Sequence, residues 1–142
     1  MNKETFYNKC QENGLILNTN QKNQFDQYYH LLYETNKVMN LTAIIEEDEV
    51  YEKHFYDSLL FSFELDLNNK TLVDVGSGAG FPGLVIAIAY PLCEVTLVEP
   101  LTKRCNFLNK VIDELKLNNV KVINARAEDL SMYRSSFDYA TA

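Results

Sequence analysis

The sequence predicts an α/β fold: the first half of a doubly wound parallel sheet, preceded by a helical N-terminal region. Three observations lead there. A short, branched, apolar run at 71–75 reads as a buried strand, and 94–99 and 120–124 read as the second and third strands. The segments between them carry helical periodicity. A glycine-rich turn, Asp74-Val75-Gly76-Ser77-Gly78-Ala79-Gly80, stands where the first run gives way to a helix. Residues 1–67 form the helical region, and residues 68–142 alternate strand and helix.

A first helix is expected from Asn2 to Asn13, with Phe6, Tyr7 and Cys10 inward and Gly14 as its stop. A second begins near Thr19 or Asn20, either of which can cap it, and buries Phe25, Tyr28, Tyr29 and Leu32. The segment Asn40-Leu41-Thr42-Ala43-Ile44 interrupts the pattern. A third helix starts in Glu46-Glu47-Asp48-Glu49, whose carboxylates suit a positive helix end, and runs through Val50, Tyr51, Phe55 and Leu59. After the glycine turn, Pro82 opens the next helix and Pro91 ends it. Thr102 is expected to cap the following helix, with Cys105, Leu108, Val111, Ile112 and Leu115 inward. Phe137 to Ala142 begins a fourth strand. The chain then ends inside an apolar run, so a truncated form of a longer protein is expected.

With 46% hydrophobic and 23% charged residues in 142, the composition is that of a globular domain. The longest apolar run, Leu84 to Tyr90, is too short to span a bilayer, and the polar N-terminus lacks a signal peptide's apolar stretch. A cytoplasmic location with no membrane partner follows as the expectation. Cys10, Cys93 and Cys105 are scattered and unpaired in spacing, which fits reduced side chains and gives no support for a metal site. The net charge of −7 runs against a dedicated nucleic-acid binder, so any RNA role must rest on a local basic patch or on something outside this chain.

The turn suits a ligand that backbone must approach closely. Gly78-Ala79-Gly80-Phe81-Pro82-Gly83 satisfies G-x-G-x-x-G, a dinucleotide pattern. A dinucleotide would bring an anionic pyrophosphate next to Asp74, however, and the two would repel. S-adenosylmethionine carries a sulfonium and an ammonium, and D-x-G-x-G-x-G suits those cations. Asp74, Gly76, Ser77, Gly78 and Gly80 are therefore candidate cofactor-binding residues, although Asp74 can also simply hydrogen-bond turn amides. Glu99, ending the second strand, can accept from both ribose hydroxyls of a nucleoside. Arg126-Ala127-Glu128-Asp129 follows the third strand, where open sheets form their ligand crevice; taken alone it is a charged loop.

Together these segments resemble the small-subunit (16S) ribosomal RNA guanine-N7 methyltransferases of the RsmG or GidB type. The resemblance rests on Met39-Asn40-Leu41-Thr42-Ala43-Ile44, Lys53-His54-Phe55-Tyr56-Asp57-Ser58-Leu59 and Val73 to Gly83. Lys103-Arg104, Phe107-Leu108, Arg126-Ala127-Glu128 and Phe137 to Ala142 complete it. It implies a class I (Rossmann-like) methyltransferase fold, S-adenosyl-L-methionine as cofactor, and 16S rRNA or the small ribosomal subunit as partner. It implies cofactor contacts at Gly76 and Phe81 in the turn and at Ala127 and Glu128 near the adenine. In the family an arginine of the active site follows Thr-Ala, where this chain ends. Guanine N7 offers a free lone pair, so positioning is the main catalytic need and no general base or metal is expected. Lys53, His54, Lys103, Arg104 and Arg126 are candidate RNA contacts, each also readable as a solvated charge or, for His54, as a structural histidine that Asp57 can orient. A methyltransferase for another RNA or a small molecule, a nicotinamide-dependent oxidoreductase, and an inactive cofactor-binding fragment remain the alternatives.

Overall fold

The computed structural model describes residues 1–129 and 136–142. Helix α1 (Lys3–Glu12) is capped by Asn2, whose side chain accepts from the Thr5 amide at 2.9 Å. It buries Phe6 and Cys10, while Tyr7 is only half-buried. Helix α2 (Thr19–Asn36) is capped by Asn18, not by Thr19 or Asn20. Asn18 keeps extended backbone, so its side chain reaches the Gln21 amide at 2.8 Å, and the Gln21 side chain returns to the Asn18 amide at 2.9 Å. Thr19 already lies within the helix. Phe25, Tyr28, Tyr29 and Leu32 are buried as the periodicity requires.

The third helix, α3, changes its winding along its length. It is α-helical over Glu47–Val50, widens to a π-helix over Tyr51–Tyr56, returns over Asp57–Leu59 and tightens to 3-10 over Leu60–Glu64. Tyr51, Phe55 and Leu59, spaced four apart, share one buried face.

Strands β1 (Thr71–Val75), β2 (Glu94–Glu99) and β3 (Val120–Asn124) occupy the expected ranges, and β4 is Tyr139–Thr141. All pair in parallel, in the order β3-β2-β1-β4. Helix α4 (Gly83–Ala89) is buried throughout. Helix α5 (Thr102–Leu115) buries Cys105, Leu108, Val111 and Leu115 as expected and Phe107 in addition, while Ile112 is half-buried. Thr102 does not cap it: Leu101 is the last extended residue and makes no side-chain cap, and Thr102 is itself the first helical residue.

One apolar core runs through both regions, from Phe6 and Phe25 to Leu97 and Leu115. Phe55 stands at its aromatic centre, with ring centroids 4.9 Å from Tyr51, 5.1 Å from Phe25 and 5.4 Å from Tyr28. The Gln21 side-chain amide adds a polar link, donating to the carbonyls of Ile88 and Ala89 that α4 leaves free at its end. The helical region is thus seated on the helix that follows the glycine turn. Phe55→Ala should cost about 3–5 kcal/mol of unfolding free energy in a denaturant titration. Asn18→Ala, which removes only one cap, should cost about 1 kcal/mol.

Candidate cofactor site

The glycine turn leaves β1 at Val75 and enters α4 at Gly83. Gly76, Gly78 and Gly80 adopt φ of +76°, +56° and +105°, a region that side-chain-bearing residues rarely enter. Their surroundings differ. A Cβ on Gly76 or Gly78 would meet nothing within 4 Å, so these two residues border open space. A Cβ on Gly80 would collide with the Tyr28 hydroxyl and Leu84, so Gly80 faces the core. The candidate ligand side of the turn is therefore Gly76 to Gly78.

Two carboxylates brace this turn from beneath. Glu99 is 2% exposed; its Oε1 accepts the Gly78 amide at 2.8 Å and its Oε2 the Leu101 amide at 2.9 Å. Asp74 is 0% exposed; its Oδ2 accepts the Gly83 amide at 3.0 Å and its Oδ1 the Thr141 hydroxyl at 3.1 Å. Burial raises the Asp74 pKa, against the opposing pull of the Gly83 amide. Asp74 thus takes the second role the sequence allowed it, bonding an amide at the end of the turn, and its carboxylate is buried instead of lining the open side.

Five of the six amides from Gly76 to Phe81 donate within the protein: Gly76 and Ser77 to Val98 O, Gly78 to Glu99, and Gly80 and Phe81 to Ser77 O. A pyrophosphate needs free amides, and this turn has spent nearly all of its own. With two buried carboxylates below it, the site fits a ligand bearing positive charge and a ribose far better than an anionic dinucleotide.

Phe81 extends the turn towards the helical region. The His54 ring stacks on it at 4.2 Å with an interplanar angle of 8°, and Tyr28 and Phe55 pack at 5.8 and 6.3 Å. The Tyr28 hydroxyl donates to Ala79 O at 2.6 Å. His54 is held by Thr42, not by Asp57: its Nε2 lies 2.8 Å from Thr42 Oγ1, which also accepts the Ile44 amide at 3.1 Å. Burial lowers the His54 pKa, with Asp57 pulling the other way. Segments 40–44, 53–59 and 74–83, far apart in sequence, therefore meet at one place. Tyr28, Thr42 and Thr141 join the site through partners distant in the chain, which the sequence does not reveal; the segment holding Thr42 stood out only through the family resemblance.

The remaining candidates are dispersed. Ala127 and Glu128 open a 3-10 turn just past β3, at the same end of the sheet as Glu99, whose register partner is Asn124. Arg126 and Lys103 are exposed and Arg104 is half-buried. Lys53 pairs with Glu49 at 3.7 Å along its own helix. Among the described residues no cluster of His, Cys, Asp and Glu suits a metal ion, and no helix is long and apolar enough to cross a membrane.

Comparison with known proteins agrees with this geometry. The family model described as GidB, rRNA small subunit methyltransferase G, matches residues 21–142. A Leuconostoc mesenteroides protein named ribosomal RNA small subunit methyltransferase G is 47% identical, over 100% of this chain and 62% of its own length. A Streptococcus pneumoniae protein of the same name is 46% identical, again over 100% of this chain and 62% of its own length. The chain thus spans less than two thirds of these curated relatives. A Plasmodium falciparum structure described as a protein-L-isoaspartate O-methyltransferase with S-adenosyl-L-homocysteine superposes with a TM-score of 0.58. It is 18% identical and covers 99% of this chain and 72% of its own, a likeness of fold alone. On the family model's match over residues 21–142, the chain belongs to the GidB family of rRNA small subunit methyltransferase G proteins.

Proposed function

We propose that the chain is the cofactor-binding part of an S-adenosylmethionine-dependent methyltransferase that modifies N7 of a guanine in 16S rRNA of the small ribosomal subunit, in the cytoplasm. The observation that carries this reading is the open-sided turn at Gly76 to Gly78, braced by two buried carboxylates and almost without free amides. The names of the relatives support the RNA substrate.

When bound, S-adenosylmethionine supplies a methyl group activated by its sulfonium. Gly76, Ser77 and Gly78 would border it, and Glu99 would accept ribose hydroxyls through the lone pairs its two amide bonds leave free. Phe81, Ala127 and Glu128 would complete the cradle. Asp74 contributes by fixing the turn. Guanine N7 needs no deprotonation, so the chain's task is to hold the base in line with the methyl group and keep water away. His54 suits positioning better than proton transfer: its ring is held flat on Phe81, and its Nε2 is taken up by Thr42. Lys53, Arg104 and Arg126 remain the candidates for RNA backbone contact, with a base turned out of its stack to reach the methyl group.

Calorimetric titration should show binding of S-adenosylhomocysteine and none of NAD. Binding of NAD alone would overturn the reading. Methyl transfer to small subunits by a protein that carries this sequence at the full length of its relatives should then place the label on guanine N7, and a label elsewhere in RNA or on a small molecule would reassign the substrate.

His54 yields a pH prediction. Its folded-state pKa lies below the ordinary 6.5, so the folded chain binds fewer protons there than the unfolded one. Its stabilising contribution is present above that ordinary value and is lost as pH falls through the folded pKa. An NMR titration should put the His54 midpoint below 6.5, and His54→Gln should flatten the loss of stability as pH falls below 6.5.

A further inference from the structure

Three elements converge on Asp74. Parallel register sets it beside Leu97 of β2 on one side and Thr141 of β4 on the other, so all three side chains project from one face of the sheet. On that face lies the start of α4. A Cβ on Gly83 would run into Leu97 and come within 2.7 Å of Asp74 Oδ2, so the bare glycine is what allows the Gly83 amide to reach the carboxylate. Thr141 Oγ1 has one proton and two acceptors in range, Asp74 Oδ1 at 3.1 Å and Val73 O at 3.5 Å; the nearer and charged one takes it.

We infer that Thr141 is a positioning residue for the cofactor turn, acting through Asp74: its hydroxyl orients the carboxylate that holds the Gly83 amide and so sets where the turn enters α4. The identity of the ligand rests on the proposed function above; the latch itself does not. A buried carboxylate that loses a donor is left partly unsatisfied in a dry site. Burial favours protonation of Asp74 and the nearby Glu99 charge acts the same way, whereas the Gly83 amide and the Thr141 and Ser77 hydroxyls oppose it. Among the described residues Tyr28 also lies close enough to feel the Asp74 charge, and its own pKa is pushed up, mainly by burial. Without the Thr141 hydroxyl, Asp74 takes up its proton at higher pH and holds Gly83 less firmly.

Thr141→Val keeps the shape and removes the hydroxyl, and Thr141→Ser restores it. In the unliganded chain, Thr141→Val should raise the Asp74 carboxyl midpoint by about one pH unit and speed exchange of the Gly83 amide about tenfold, with Thr141→Ser close to the unaltered chain. Affinity for S-adenosylhomocysteine should fall about tenfold in Thr141→Val and recover in Thr141→Ser. An Asp74 midpoint and Gly83 exchange unmoved by Thr141→Val would overturn the inference, as would equal losses of affinity in both variants. Asp74→Asn provides a second line: adding Thr141→Val to it should change affinity far less than adding it to the unaltered chain, and an undiminished effect would overturn the inference. If the unaltered chain binds no S-adenosylhomocysteine, the functional reading falls, while the titration and exchange results still decide the latch.

Discussion

Two carboxylates buried at the ends of adjacent parallel strands govern the rest of the structure. Asp74 stands one residue before the end of β1 and Glu99 closes β2, and between them they accept the amides of Gly78, Gly83 and Leu101. A buried carboxylate must find donors, and at strand ends the donors within reach are the amides of the connections that leave the sheet. The path from β1 into α4 and the path from β2 towards α5 are therefore set by the same electrostatic demand. The left-handed glycines follow from it, because only they can turn the chain sharply enough to deliver those amides.

This arrangement also explains why a G-x-G-x-x-G match does not make a dinucleotide site here. In such a site the turn keeps its amides free for phosphate oxygens; here they are consumed by Val98, Ser77 and Glu99. The motif's spacing is the same in both cases, and what differs is the charge placed beneath it. Gly80 adds a second distinction, since its missing side chain makes room for Tyr28 and not for a ligand.

The helical N-terminal region belongs to this machinery. Tyr28 bonds the turn at Ala79, His54 lies flat on Phe81, and Thr42 holds His54 while ordering the loop that contains it. The π-helical stretch of α3 contains both Phe55 and His54, one turned into the core and one against the turn. Packing of the aromatic core and placement of the site are thus a single event, which is why the core continues unbroken from α1 to α5.

What the sequence determined by itself is what local chemistry decides. Strands β1, β2 and β3 lie where short runs rich in branched apolar residues end against asparagine, proline or glycine; β1 and β2 are mostly buried, while β3, at the sheet edge, is not. The buried stripe of α2 and the turn after β1 were legible in the same way. The Asn18 cap was not, because three neighbouring polar residues can each cap and only the point at which the backbone turns helical chooses among them. Tertiary structure alone decided that Asp74 is a buried brace, that Thr42 and not Asp57 holds His54, and that Thr141 reaches back to β1. Each of these is a hydrogen bond between residues that only parallel strand pairing or helix packing brings together, and no spacing along the chain records it.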